Sequence, residues 1–177
     1  APQVYPTCVD LRYAGIERLV LLFARELARR GMKVGLAAPD GSCAPPGVEL
    51  LTSGPAGEYQ HAELSAFYRY APHLERFDLV HDFSHSHWAM RLLPDLKGVA
   101  MIWHDPFIMA PPVPDRNIGA LSEWQAERFA RRGQRARALD VICGSPAFYA
   151  PSTERSARYV CVGKIGPTKG PLRTIEL

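Results

Sequence analysis

The fold is decided by the stretch Arg12-Tyr13-Ala14-Gly15-Ile16-Glu17-Arg18, which opens a helical pattern that continues to Arg30. Apolar residues recur at helical spacing along this pattern, and shorter apolar segments precede it at residues 3–7 and follow it at residues 33–38. A strand, a loop, a helix and a second strand in this order make a unit of the βαβ size. The loop and the first free N–H groups of the helix form a natural anion site, so we expect function to begin there.

Predicted strands and helices alternate along the rest of the chain. The strands lie at residues 48–51, 77–81, 99–103, 117–121 and 141–143, and the helices at residues 58–76, 87–93 and 123–133. The run at residues 99–103 is apolar throughout, as is typical of a strand buried on both faces of a sheet. This alternation predicts an α/β fold, a Rossmann-like doubly wound parallel sheet with helices on both faces.

The composition is that of an ordinary globular protein, with 47% hydrophobic and 22% charged residues among 177. The net charge of +3 is far below the dense positive charge of a nucleic-acid-binding protein, so no nucleic-acid partner is expected. The four cysteines are far apart in the sequence, without a CxxC pair, and are interpreted as reduced thiols. The chain has no run of eighteen apolar residues and no signal peptide, so a cytoplasmic protein is expected.

Three stretches of the chain occur in an order and at a spacing that a known enzyme family shares. They are Tyr13-Ala14-Gly15-Ile16-Glu17-Arg18-Leu19-Val20; residues 77–81 with Ile102-Trp103-His104 and Ala120-Leu121-Ser122-Glu123; and Val162-Gly163-Lys164-Ile165-Gly166-Pro167-Thr168-Lys169-Gly170. Together they resemble the family 4 retaining glycosyltransferases, which have the two-domain GT-B architecture. The resemblance implies that residues 1–150 are the Rossmann-like acceptor-side domain of such a protein. Residues 151–177 would then be a linker and the first βα unit of a truncated donor-binding domain.

The resemblance also implies an activity, hexosyl transfer from a nucleotide-diphosphate sugar to an acceptor hydroxyl with retention of configuration. The substrates would be a nucleotide sugar and a carbohydrate or lipid-linked acceptor, and no cofactor or metal ion is expected. The implied site residues are His104 as the catalytic residue, Gly15, Lys164 and Lys169 at the donor diphosphate, and His81, His85 and Ser122 on the acceptor side. A helix N-terminus and two ammonium groups would stabilise the negative charge that grows on the leaving diphosphate.

Each of these residues also has a purely structural interpretation. Gly15 could serve as a tight helix entry, the two lysines as solvated loop residues, and His104 as a cap of its strand. The chain also departs from the family pattern, because Ala14 stands in place of a glycine and Lys164 in place of an arginine, which keeps the charge but loses the bidentate fork. The acidic motif that holds the donor sugar would lie beyond Leu177, so the chain is expected to be inactive alone.

Two alternatives from other functional classes stay open. The first is a non-catalytic domain derived from a glycosyltransferase, which binds a ligand or completes its site with another chain. The second is a metal-dependent hydrolase, because His85-Ser86-His87 resembles the start of the zinc pattern of metallo-β-lactamase-like hydrolases. Ala89 and Met90 stand where that pattern requires Asp and His, and zinc needs three or four ligands, so no metal site is predicted.

Two parts of the chain predict macromolecular partners. One is a basic stretch, either a solvated face or a peripheral contact with the inner face of an anionic membrane. Its members are Arg128, Arg131, Arg132, Arg135 and Arg137. The other is the unfinished βα unit at residues 159–177, which predicts homo-oligomers because unpaired strands seek partners.

Overall fold

The computed structural model of the chain describes residues 1–8, 15–57, 59–101 and 117–139. The chain divides into two compact units, Ala1–Cys143 and Gly144–Leu177, and all the described residues lie in the first. The predicted donor-domain unit therefore lies outside the described residues, and the predicted boundary near residue 150 stays a prediction.

The first unit alternates helices with strands, as the sequence pattern predicted. The helices are α1 (Gly15–Arg29), α2 (Tyr59–Tyr70), α3 (Trp88–Leu92) and α4 (Glu123–Ala130), with a 3₁₀ helix at Ala71–Arg76. The strands are β1 (Val34–Ala38), β2 (Val48–Thr52), β3 (Val80–Asp82), β4 (Gly98–Met101), β5 (Asn117–Ala120) and β6 (Ala136–Ala138). Helix α1 ends as predicted, because Gly31 follows it with a φ of 81°, the left-handed conformation that glycine adopts at helix ends.

The strands form two parallel sheets in the described part of the chain. Strand β1 pairs with β2, with Val34 opposite Val48. Strands β3, β4, β5 and β6 form the second sheet in that order, and every neighbouring pair is parallel. Helix α3 connects β3 to β4, and α4 connects β5 to β6. The predicted mixed α/β fold with parallel strands is confirmed, and it places the carboxyl ends of β3 to β6 along one edge.

Strand β4 is covered on both faces, which confirms the interpretation of its apolar run. Val99 and Met101 pack into one hydrophobic cluster and Ala100 into another, because successive side chains of a strand point to opposite faces. The first cluster joins α1 and β1 through Val20, Leu21, Leu36 and Ala38, with Phe83 and Met101. The second joins α2 and α3 through Phe67, Ala89 and Met90, with Leu74 and Ala100.

The predicted strand at residues 3–7 is wrong, since the structure has no strand there. This segment instead makes isolated hydrogen bonds with loops. The N–H of Gly57 donates to the carbonyl oxygen of Gln3 at 2.9 Å, and the Gln3 side-chain amide donates to the carbonyl oxygen of Gly54 at 3.1 Å. Pro2 and Pro6 lack the N–H groups that a regular ladder needs, which explains why the apolar pattern does not become a strand.

Three further elements differ in detail from the sequence pattern. The helix predicted at residues 58–76 changes from α to 3₁₀ geometry after Tyr70, where Pro72 removes a backbone donor. Strand β3 begins later than predicted, so that His81 lies inside the strand and Asp82 ends it. Strand β6 was not predicted, because its sequence, Ala136–Ala138, lies within the basic stretch and carries the exposed Arg137.

Candidate functional site

The candidate site is the segment from Asp82 to His87, called here the β3–α3 segment, which starts at the carboxyl end of β3. Ligands of open parallel sheets bind at this edge. Four polar residues of the segment are buried: Asp82, Ser84, Ser86 and His87. A loop with this much buried polar surface must satisfy it with specific hydrogen bonds, and two carboxylates supply most of the acceptors.

The first carboxylate is Glu63, which reaches the segment from the middle of α2. Its side chain accepts hydrogen bonds from the N–H of His85 at 2.8 Å and from the N–H of Ser86 at 2.6 Å. His85 Nδ1 lies 3.2 Å from the same carboxylate. Burial raises the pKa of Glu63, but the bonds from His85 and Ser86 outweigh burial and hold that pKa below its ordinary value. Glu63 is therefore ionised at neutral pH and anchors the segment to α2.

The second carboxylate is Asp82 itself, which folds the segment back on β3. Its Oδ1 accepts from the N–H of Ser84 at 2.9 Å and from the Ser84 hydroxyl at 2.6 Å. The Ser84 hydroxyl oxygen in turn accepts from the N–H of His87 at 3.1 Å. Burial raises the pKa of Asp82, but the nearby His87 and the bonds from Ser84 more than compensate, so the pKa lies below its ordinary value.

His87 ends the segment in an uncommon backbone conformation. Its φ of 50° and ψ of 43° are left-handed, and it is the one non-glycine residue with positive φ in the part of the chain that the structure describes. Its Nδ1 lies 3.6 Å from Asp82 Oδ1, which is too long for a hydrogen bond but within the range of an ion pair. A non-glycine residue pays a conformational penalty here, as residues at ligand-binding sites often do.

Several buried polar atoms at and beside the segment have no hydrogen-bond partner among the described residues. They are Asp82 Oδ2, His87 Nδ1, His81 Nδ1 and Trp88 Nε1. Asp82 and His87 are only 6% and 5% exposed, respectively. Buried polar atoms are rarely left unpaired, so Asp82 Oδ2 and His87 Nδ1 stand out as an unpaired acceptor and an unpaired imidazole nitrogen in this segment.

His81 and His85, both predicted on the acceptor side, are attached to different parts of the fold. The His81 ring lies 4.9 Å from the Phe23 ring and 6.3 Å from the Phe83 ring, measured between centroids. Burial lowers its pKa, which keeps the imidazole neutral at pH 7. His85 instead contacts Glu63 on α2. His81 thus lies beside two aromatic rings, whereas His85 belongs to the polar network.

Ser122 acts as the N-cap of α4, the helix that was predicted to begin at residue 123. Its hydroxyl oxygen accepts from the N–H of Gln125 at 3.2 Å. The reciprocal bond differs from the usual box, since Gln125 Oε1 accepts from the N–H of Leu121 at 2.7 Å rather than from that of Ser122. Ser122 follows β5 at the same edge of the sheet as Asp82, so its capping role and an acceptor-side position are compatible.

Gly15 is the first residue of α1 and is exposed. A Cβ added to Gly15 would meet no atom within 4 Å in the described structure, so packing there does not require a glycine. The predicted His104, Lys164 and Lys169 lie outside the described residues. Among the predicted site residues, the structure therefore brings His85 into contact with Glu63 in the β3–α3 segment, where His87 faces Asp82.

Sequence reasoning missed Glu63. One signal was available, because Glu63 lies three and four residues before Ala66 and Phe67 and so shares the buried face of α2. A carboxylate on an apolar helix face is almost never buried without a partner. The pattern did not show which distant groups would be that partner.

The histidine cluster does not assemble as a metal centre in the part of the protein that the structure describes. No group of three or more His, Cys, Asp or Glu side chains is arranged there to hold a metal ion. His85 contacts Glu63, whereas His87 faces Asp82, so the two histidines of the zinc-like pattern are engaged by different carboxylates.

These features define a protein of the mixed α/β class, with parallel sheets and a buried polar segment at a strand end. No protein-family model matches the chain. No curated protein matches it in sequence. Among the described residues, no helix combines the length and the apolar character needed to cross a membrane.

Proposed function

We propose that this chain is the acceptor-side part of a retaining glycosyltransferase of GT-B architecture, in which the β3–α3 segment binds the acceptor. The observation that carries the proposal is the pair of buried carboxylates, Glu63 and Asp82, that hold this segment at the carboxyl edge of a parallel sheet. The resemblance of three sequence stretches to family 4 enzymes supports the same assignment.

The chemistry of the segment suits a sugar hydroxyl. A hydroxyl group both donates and accepts a hydrogen bond. Asp82 Oδ2 can accept from it, and the imidazole nitrogen of His87 can either donate or accept, depending on the tautomer. A hydrogen bond to a charged group contributes about 1.5–3 kcal/mol. A buried site of this kind also rejects ligands that lack the hydroxyl, because its own polar groups would then stay unpaired.

In the proposed reaction, the bond between the sugar C1 and the diphosphate oxygen breaks, and its electron pair stays on the diphosphate. The acceptor oxygen bonds to C1 on the same face, and its proton passes to the oxygen of the leaving diphosphate. Among the residues that the resemblance assigns to the donor diphosphate, Gly15 lies at the start of α1, where free N–H groups suit a negative charge. No cofactor or metal ion takes part in the proposed reaction.

A non-catalytic binding domain is the second candidate. It is favoured by the way in which Glu63 directs its hydrogen bonds to its own chain rather than outward. In this case the network would only shape a ligand surface, and the chain would bind a saccharide without transferring one.

The two candidates are separated by measuring saccharide binding and transfer on the same sample. Saturation-transfer NMR with a panel of mono- and disaccharides measures binding, and mass spectrometry after incubation with UDP-glucose or GDP-mannose measures transfer. His87→Asn removes the imidazole with a residue that tolerates the left-handed conformation. The matched control is His61→Asn on the exposed side of α2.

Saccharide binding that His87→Asn abolishes and His61→Asn retains is the expected result. Transfer by the chain, alone or together with a donor-domain chain, supports the glycosyltransferase. Binding without transfer under any of these conditions supports the binding domain. Absence of binding to every saccharide and every nucleotide sugar refutes both candidates.

We also propose a peripheral membrane contact through α4. Trp124 is 56% exposed, and the Arg128 guanidinium lies 4.4 Å from the centre of its ring. An exposed tryptophan beside arginines is suited to the interface of an anionic bilayer, where the ring is amphipathic and each arginine near the surface contributes about 1 kcal/mol.

A further inference from the structure

Two cysteines that are far apart in the sequence lie side by side. The Sγ atoms of Cys8 and Cys43 are 2.8 Å apart, although 35 positions separate the two residues in the chain. Both cysteines are reduced thiols in this structure. A disulfide bond is about 2.05 Å long, so the two sulfur atoms need to approach by only about 0.8 Å to form one.

The backbone on both sides of the pair is already held in place. The N–H of Cys43 donates to the carbonyl oxygen of Thr7 at 2.9 Å, and the N–H of Thr7 donates to the Ser42 hydroxyl at 2.8 Å. The Cys8 thiol also donates to the carbonyl oxygen of Gly41 at 3.3 Å. Two backbone segments are thus tied together beside the sulfur atoms, so the bond can form without a large rearrangement.

The position also gives an oxidant access. Cys43 is exposed and Cys8 is partly exposed. Thiol–disulfide exchange requires the thiolate form of a cysteine and direct contact between its sulfur and the oxidant. Exposed cysteines meet both requirements, whereas buried structural cysteines do not.

We propose that Cys8 and Cys43 are a redox modification site that forms a reversible intramolecular disulfide. A small disulfide such as oxidised glutathione serves as the oxidant. The thiolate of Cys43 attacks one of its sulfur atoms and releases the first glutathione thiolate. The Cys8 thiolate then attacks the Cys43 sulfur and releases the second. The protein loses two hydrogen atoms and two electrons, and the oxidant becomes two thiols.

The bond would close a chain segment that contains all of α1 and β1. Closing such a loop restricts the unfolded chain, and for a separation of this size the expected rise in melting temperature is on the order of 5–10 °C. It would also anchor the residue that leads into the stretch Arg12–Arg18. Oxidation therefore acts on the first α/β unit of the fold.

The test uses the 177-residue chain in buffers of reduced and oxidised glutathione, followed by alkylation and tryptic mapping without reduction. The expected product has no covalent link between chains and is lighter by two hydrogen atoms, with tryptic peptides 1–12 and 34–69 linked through Cys8 and Cys43. Dithiothreitol should reverse both the link and the rise in melting temperature. Cys143→Ser is the matched control and should still form the link, whereas Cys43→Ser should lose it.

Three results would overturn the proposal. They are glutathione retained on Cys8 or Cys43 as the stable product, a linked dimer between two chains, and full alkylation of both cysteines after exposure to the oxidant. If Cys143→Ser forms the linked peptide pair but its melting temperature does not change on oxidation, the disulfide site is supported and its stabilising effect is contradicted.

Discussion

Replacing Glu63 by alanine is expected to destabilise the protein by about 3 kcal/mol. The substitution leaves the N–H groups of His85 and Ser86 without their acceptor, and each unpaired buried donor costs about 1–3 kcal/mol. Relief from burying a charge offsets part of this cost. Glu63→Gln keeps one carbonyl oxygen and should lose only about 1–2 kcal/mol.

The assay is equilibrium unfolding in urea, followed by tryptophan fluorescence, with hydrogen exchange of the His85 and Ser86 amides as a local readout. Glu26→Ala is the control, because Glu26 also accepts several hydrogen bonds, from Arg29 and Arg30, but does so on the surface. We expect no measurable loss for Glu26→Ala, since solvent screens these pairs.

The ordering of the variants decides the outcome. If Glu63→Ala is no less stable than Glu26→Ala, the β3–α3 segment does not depend on Glu63. In a second outcome, global stability falls but the His85 and Ser86 amides exchange only through global unfolding in every variant. Glu63 then stabilises α2 rather than the β3–α3 segment.

Three further predictions concern pH, the helix entry and the basic surface. The pKa values of Asp82, Glu63 and His81 lie below their ordinary values, so the protein loses stability as these groups bind protons on acidification. Urea unfolding at a series of pH values should show a first loss of stability below pH 6.5, which His81→Leu removes, and a second loss below pH 4.5. Gly15→Ala should leave the free energy of unfolding unchanged or raise it by about 0.5 kcal/mol, but weaken the binding of UDP or GDP measured by calorimetry. If the variant and the unchanged protein bind the nucleotide with equal affinity, Gly15 is not part of the donor site. Trp124→Ala should reduce co-sedimentation with phosphatidylserine vesicles several-fold, and neutral vesicles should not bind the protein. If high salt removes vesicle binding of the unchanged protein while Trp124→Ala binds as well as it does at low salt, the arginines and not Trp124 carry the contact.

The homo-oligomer predicted from residues 159–177 can be tested by sedimentation equilibrium of the 177-residue chain against a chain that ends at residue 150. A concentration-dependent mass in the longer chain alone is the expected result. A monomer in both cases would contradict the prediction.

Local patterns predicted most of the described elements. Helical spacing located α1, the glycine that follows it marked its end, and Ser122 marked the start of α4. These signals work because caps and periodicity depend on residues within one or two turns. The same reasoning failed at residues 3–7, where two prolines prevent a ladder that the apolar pattern suggested, and at β6, whose charged sequence resembles a solvated surface.

The sequence by itself determined the α/β class, the position of the helices and the polar character of the β3–α3 segment, because each follows from side chains close together in the chain. Only the tertiary structure decided that Glu63 would meet His85 and Ser86, and that Cys8 would meet Cys43. The physical reason is that a buried carboxylate, or a thiol beside a second thiol, takes its character from its partners. Those partners come from distant segments, whose register is set by the packing of both faces of the sheet.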